Sequence, residues 1–252
     1  MSVLEPRDAS GIPAFLRPLA AQALLGGTEL VDLGGRPRGG TAEEARAPRR
    51  GAVLLLVTGR RLEHARIVVE ERAHTLRSQP GQFSLPGGGV EPQDADDAAA
   101  ALREAQEEVG LDPAAVQVLG AFAPIVMPWR AYEVRPVLAW APEDPGLHAA
   151  DPGEVARVVW APLHGAGSLS DPAVRRTGLL DGRDVGTAYD LADDAFVWGF
   201  TAYLLEAVLR RLMPVPGEQD QPRMEVPALR RMEGSTRPHG RHPGRDRHGR
   251  IS

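Results

Sequence analysis

A chain of 252 residues with 42% hydrophobic content is long enough for one well-packed domain with additions, and its lack of cysteine excludes disulfides, thiolate metal sites and cysteine nucleophiles. Lysine is absent as well, so the 29 strongly basic residues are all arginine and Walker-type phosphate loops are excluded. The net charge of −5 is unevenly spread: residues 223–252 hold eight Arg against Glu225, Glu233 and Asp246, which leaves an acidic body and argues against nucleic acid as the main partner.

Taken in order, residues 12–25 read as a short amphipathic helix interrupted by Pro18 and ended by Gly26 and Gly27. Residues 34–51, with Arg36, Arg38, Arg46, Arg49 and Arg50, have the composition of a solvated loop. The apolar run 52–57 predicts a buried strand and 67–69 a second, with a turn that makes a hairpin of the two. Residues 70–88 are polar with Gly and Pro, the composition of a functional loop. Strands follow at 116–122, 132–140 and 154–160, with a hairpin turn at Asp181-Gly182. Residues 195–212 predict an amphipathic helix, stopped by Pro214 and Pro216. Residues beyond 214 lack periodicity and are expected to be disordered.

Strands, one central helix, more strands and a terminal helix predict an α/β (α+β) fold, a mixed sheet sandwiched between helices. The expected division is 1–50 as helix and flexible loop, 51–213 as the domain, and 214–252 as an Arg/His-rich tail. No apolar run approaches a membrane span and Met1–Ser10 lacks a signal pattern, so a cytoplasmic protein without a membrane partner is expected. The oligomeric state stays open, a homodimer among the options.

The chemistry concentrates in residues 86–111. A glycine-rich turn there leads into a predicted helix bearing Arg103, Glu104, Glu107 and Glu108. Positions i, i+3 and i+4 share a helical face, so the three carboxylates repel one another unless a cation sits among them. Hard oxygen donors at this density suit Mg²⁺ or Mn²⁺. A Glu-rich helix alone reads as a solvated face; the adjoining glycine turn and the Arg-Glu…Glu-Glu-x-Gly spacing favour a metal site.

This segment resembles the box of the Nudix hydrolases, G-x5-E-x7-R-E-U-x-E-E-x-G-U. Gly89 matches its first glycine and 103–111 its second half, while Ala95 stands at the early Glu position, with Glu91, Asp94 and Asp96 as acidic neighbours. Residues 69–88 are similar to the segment that precedes the box in the coenzyme A pyrophosphatase subfamily, L-L-T-x-R-[SA]-x-x-L-R-x-H-x-G-Q-x-x-F-P-G-G. Arg72, Leu76, Arg77, Gly81, Gln82, Pro86, Gly87 and Gly88 match; Gln79 replaces His and Leu85 replaces Phe.

The resemblance implies a metal-dependent diphosphate hydrolase with coenzyme A as substrate. It implies that Glu104 and Glu108 are the main ligands, with Glu107 holding a further ion or acting as general base. Gly88 would lend a carbonyl, and Arg103 would orient a ligand Glu. Arg72 and Arg77, with the Gly87-Gly88 turn, would meet phosphates, although each Arg alone is as well explained by a surface position or a salt bridge. ADP-ribose, NADH or dinucleoside polyphosphates are the alternative substrates, and a non-catalytic nucleotide-binding domain is the alternative class.

Overall fold

The computed structural model describes residues 11–31, 49–127, 132–215, 217 and 221–230. Arg36, Arg38 and Arg46 of the expected loop, Trp129, Met1–Ser10 and the Arg/His-rich end beyond residue 230 lie outside the described residues.

The run at 52–57 becomes the middle of β1 (Arg49–Thr58), and its lack of alternation has a direct cause. Both faces of β1 are covered, as continuous apolar strands require. Ala52, Leu54 and Leu56 point into one hydrophobic cluster, Leu55 and Val57 into another. Helix α1 (Arg17–Leu24) and helix α3 (Gly199–Leu212) cover the second face, and α2 (Asp97–Val109) covers the first. A mixed sheet between helices is therefore the architecture, as predicted.

β1 lies parallel to β7 (Tyr132–Ala141), paired from Arg49↔Tyr132 to Thr58↔Ala141. Its other edge is shared. At the far end β1 pairs with β2 (Arg66–Arg72) through Val57↔Ile67 and Thr58↔Arg66. At the near end it pairs with β4 (Gly87–Gly89) through Gly51↔Gly89, Ala52↔Gly88 and Val53↔Gly87. Between these contacts β2 leaves β1 and pairs with β8 (Val155–Pro162) and with the two-residue β3 (Phe83–Ser84). β5 (Gln117–Ala121) and β6 (Ile125–Met127) complete the sheet on β7. The splay between β2 and β4 is where the site forms.

A second, four-stranded sheet orders β11 (Phe196–Val197), β10 (Arg183–Asp190), β9 (Arg175–Leu180) and β12 (Arg223–Glu225). The β9–β10 hairpin turns at Asp181 and Gly182, both with positive φ of 52° and 73°, the geometry of a tight two-residue hairpin.

Three expectations are corrected. The segment 70–88 is not all loop: Glu70–Arg72 continue β2 and Gly87–Gly89 form β4, because extended backbone there is captured by β8 and β1. The terminal helix begins at Gly199 rather than 195, since Phe196 and Val197 pair with β10. The tail beyond 214 is structured in part: β12 runs parallel to β9 and a 3-10 turn at Ala228–Arg230 buries Arg230. The N-terminal segment packs on the same core: Leu16, Leu19 and Leu30 share one cluster with Leu138 and Leu205.

Candidate active site

Helix α2 is well specified locally. Asp96 caps it, its side chain accepting from Ala99 N at 2.8 Å, and Gly110 ends it at φ 67°. Ala100, Ala101 and Ala105 face the sheet, and their small side chains let the helix lie close on β1. The stripe Ala101–Ala105 continues at i+7 to Glu108, which is therefore carried inward and is 5% exposed. Glu104 is next, its side chain 16% exposed, and Glu107 lies around the helix at the rim, its side chain 59% exposed. The structure thus brings Glu104 and Glu108 to the site and sets Glu107 apart.

What faces them is backbone. The Gly87 N–H donates to Glu108 Oε2 at 2.9 Å. A β-carbon at Gly88 would stand 2.5 Å from the Glu104 carboxylate, so glycine is what lets that carboxylate approach β4. Gly87 has φ 150° and a β-carbon there would run into Ala52 and Val53 of β1.

Arg103 ties the turn to the helix. Its Nη2 donates to the Gly89 carbonyl at 2.8 Å, its Nε reaches Asp94 at 3.1 Å, and it pairs with Glu104 at 3.0 Å and Glu107 at 3.2 Å. Asp94 is held below the usual carboxylate range, chiefly by that hydrogen bond. Of the acidic neighbours of Ala95, then, Asp94 fixes Arg103 and Asp96 caps the helix.

Sequence reasoning missed a third inward carboxylate. Glu70 on β2 is 1% exposed; Ser84 Oγ donates to its Oε1 at 3.1 Å, and its Oε2 has no partner. The available signal was the strand period: Glu70 shares a face with Val68, which packs in the α2 cluster. Burial pushes Glu70 up to about 7, with the charges of Glu154 and Glu104 adding to it. Burial pushes Glu108 to about 9, reinforced by the charges of Glu70 and Glu104 and opposed by the Gly87 N–H and Arg72. Glu104 is raised too, by burial first and then by Glu107 and Glu154.

Arg72, at the end of β2, has a buried Nε without a partner, and so does Gln82 at its Nε2. Arg77 lies exposed on the intervening loop. On the opposite face of β2, Glu71 is matched by Arg157 and Arg230, with His74 at 2.9 Å. Burial opposes its ionisation, and the two guanidinium groups outweigh that and hold it low.

Among the described residues no three His, Asp or Glu side chains stand close enough to hold an ion as they are. In donor chemistry the set still fits a hard divalent cation. Glu70, Glu104 and Glu108 are each pushed upward by burial first and then by neighbouring carboxylate charge, and one buried oxygen is unsatisfied. No helix among the described residues is long and apolar enough to cross a membrane.

The NUDIX domain family matches residues 48–178. The protein named Uncharacterized Nudix hydrolase NudL from Enterobacter sp. (strain 638) is 37% identical over 161 residues, covering 62% of this chain and 80% of the relative. Its namesake from Cronobacter sakazakii (strain ATCC BAA-894) is 37% identical over 174 residues, covering 68% and 84%. A solved Nudix hydrolase from M. smegmatis, RenU, is 23% identical with a TM-score of 0.39, covering 46% of this chain and 71% of that one. Nudix hydrolases act on nucleoside diphosphate substrates and generally use divalent ions such as Mg²⁺ or Mn²⁺. The chain belongs to the NUDIX family, as a hydrolase of pyrophosphate bonds.

Proposed function

We propose that the chain is a metal-dependent hydrolase that cleaves the diphosphate of coenzyme A or its acyl derivatives, yielding 3′,5′-ADP and (acyl-)4′-phosphopantetheine. The observation that carries this reading is a coincidence. All three buried side-chain atoms without a hydrogen-bond partner among the described residues, Glu70 Oε2, Arg72 Nε and Gln82 Nε2, fall in the segment just before the box. That segment resembles the coenzyme A pyrophosphatases, and unsatisfied buried polar groups mark places where a ligand completes the hydrogen bonding.

Glu104 and Glu108, with the Gly88 carbonyl, would hold Mg²⁺ or Mn²⁺. A bound divalent ion offsets charge on the diphosphate and makes a bound water more acidic. Glu107, at the rim, would hold a further ion or act as general base. Arg103 keeps Glu104 in place through charge-assisted contacts to the turn. Arg72 presents a guanidinium to the diphosphate, and exposed Arg77 is placed to meet an outlying phosphate. The chain then works in the cytoplasm on a small molecule, without nucleic acid or membrane, as a monomer or a homodimer.

The test is a panel of coenzyme A, ADP-ribose, NADH and a dinucleoside polyphosphate with Mg²⁺ or Mn²⁺, products identified by mass, beside Glu108→Gln. Release of 3′,5′-ADP from coenzyme A that Glu108→Gln abolishes supports the reading. Cleavage of another member alone overturns the substrate and keeps the class. Metal binding with no turnover of any diphosphate would point to a nucleotide-binding domain.

A further inference from the structure

We propose that Glu70 is an additional carboxylate ligand of the divalent ion, contributed by strand β2 from across the site. The proposal rests on the metal-dependent reading above and extends it to a residue outside the box. Aligned on Arg72, the pattern L-L-T-x-R has threonine where this chain has Glu70. Threonine there would bring one hydroxyl; glutamate brings a charge into a place that is 1% exposed.

Placing a carboxylate there is costly unless something pairs with it. Ser84 Oγ satisfies only Oε1, and Oε2 is left without a donor. Among the described residues no guanidinium bonds it: Arg157 and Arg230 are taken by Glu71 on the other face of the strand, and Arg103 is shared among Asp94, Glu104 and Glu107. Glu108 and Glu104, by contrast, are close enough for their charges to act on Glu70. Arg72 acts on both Glu70 and Glu108. With Glu154 acting on Glu70 as well, carboxylates outnumber the guanidinium there, an excess that a divalent ion offsets. Glu70 comes from strand β2 and Glu108 from helix α2, so an ion between them also bridges strand and helix.

The measurement is Mn²⁺ binding by the full chain, followed by calorimetry and by the loss of the free-ion paramagnetic resonance signal, with thermal unfolding in parallel. The proteins are wild type, Glu70→Gln, Glu70→Thr and Glu108→Gln. Loss of Glu70 is expected to weaken Mn²⁺ by about 10- to 100-fold. It is also expected to shrink the rise in Tm that Mn²⁺ produces, while the metal-free Tm stays at or above the wild-type value. That last readout shows the variants fold, and Glu70→Thr keeps a hydroxyl for Ser84 should the amide pack badly. Wild-type Mn²⁺ affinity and Tm rise in both Glu70 variants, with both lost in Glu108→Gln, overturn this proposal and leave the metal-dependent reading intact. A wild type that takes up no Mn²⁺ overturns both.

Discussion

Glu206 on α3 and Glu108 on α2 are both buried carboxylates on a helix packed against a sheet, and their surroundings are opposite. Glu206 receives two contacts from Arg175, at 2.8 and 2.9 Å, the Tyr189 hydroxyl at 2.7 Å and Arg210 at 2.7 Å. Burial opposes its charge, yet these donors win and hold its ionisation low. Glu108 accepts one backbone N–H, and burial, reinforced by the charges of Glu70 and Glu104, drives its ionisation up to about 9. Around Glu206 the protein completes the charge balance itself and ties α3 to β9 and β10. Around Glu108 it supplies one backbone N–H and no bonded guanidinium among the described residues, so the carboxyl is pushed up where Glu206 is held low.

The contrast can be broken in order of expected effect. Glu206→Ala strands Arg175, which is 0% exposed, without its counter-charge, and should cost about 3–5 kcal/mol in urea unfolding while turnover per folded molecule is unchanged. A mild cost there would mean that the Arg175 cluster is not what closes this part of the fold. Glu108→Gln should behave in the reverse sense: hydrolysis falls by about 10²–10³-fold, and the metal-free Tm does not fall. Destabilisation instead would make Glu108 a structural group like Glu206.

Asp94→Asn sharpens the comparison from the rim. It weakens the anchor of Arg103 and should lower activity by about 10- to 100-fold, with Mn²⁺ restoring part of the loss at high concentration. Loss that added Mn²⁺ leaves untouched would assign Arg103 to substrate rather than to Glu104.

The smallest effect is in pH. Between the ordinary value of 4.5 and about 9, folded Glu108 keeps a proton that the unfolded chain has released. The folded state binds more protons in that window, so this group makes stability fall as pH rises. The metal-free wild type should therefore lose more Tm from pH 5 to 9 than Glu108→Gln, and added Mn²⁺ should remove most of the difference. Parallel profiles would show that Glu108 ionises freely in the folded protein.

Much of the site was legible because it is local. Helix α2, its cap at Asp96, its end at Gly110 and the Arg103–Glu108 spacing all lie within one turn-and-helix segment. The inward turn of Glu108 was not read from the sequence, although Ala101, Ala105 and Glu108 form one stripe that carries it. Glu107 could not be set apart by charge alone: i+3 and i+4 share a face, and only the alanines say which edge of that face meets the sheet. Asp94 was one of three candidates until Arg103 was seen to reach it.

Contiguous patterning was enough for the apolar strand run, the capped helix, the Asp181-Gly182 turn and the family resemblance, because propensity, period and spacing act between residues near in sequence. Register and long-range pairing settled the rest. Glu70 and Glu71 are neighbours in the chain with the same side chain. The pleat of β2 turns Glu70 toward α2 and a place where no cation of the described residues bonds it, and Glu71 toward Arg157 and toward Arg230, more than 150 residues away. Which of the two is neutralised by protein and which is not depends on what the fold packs against each face of one strand.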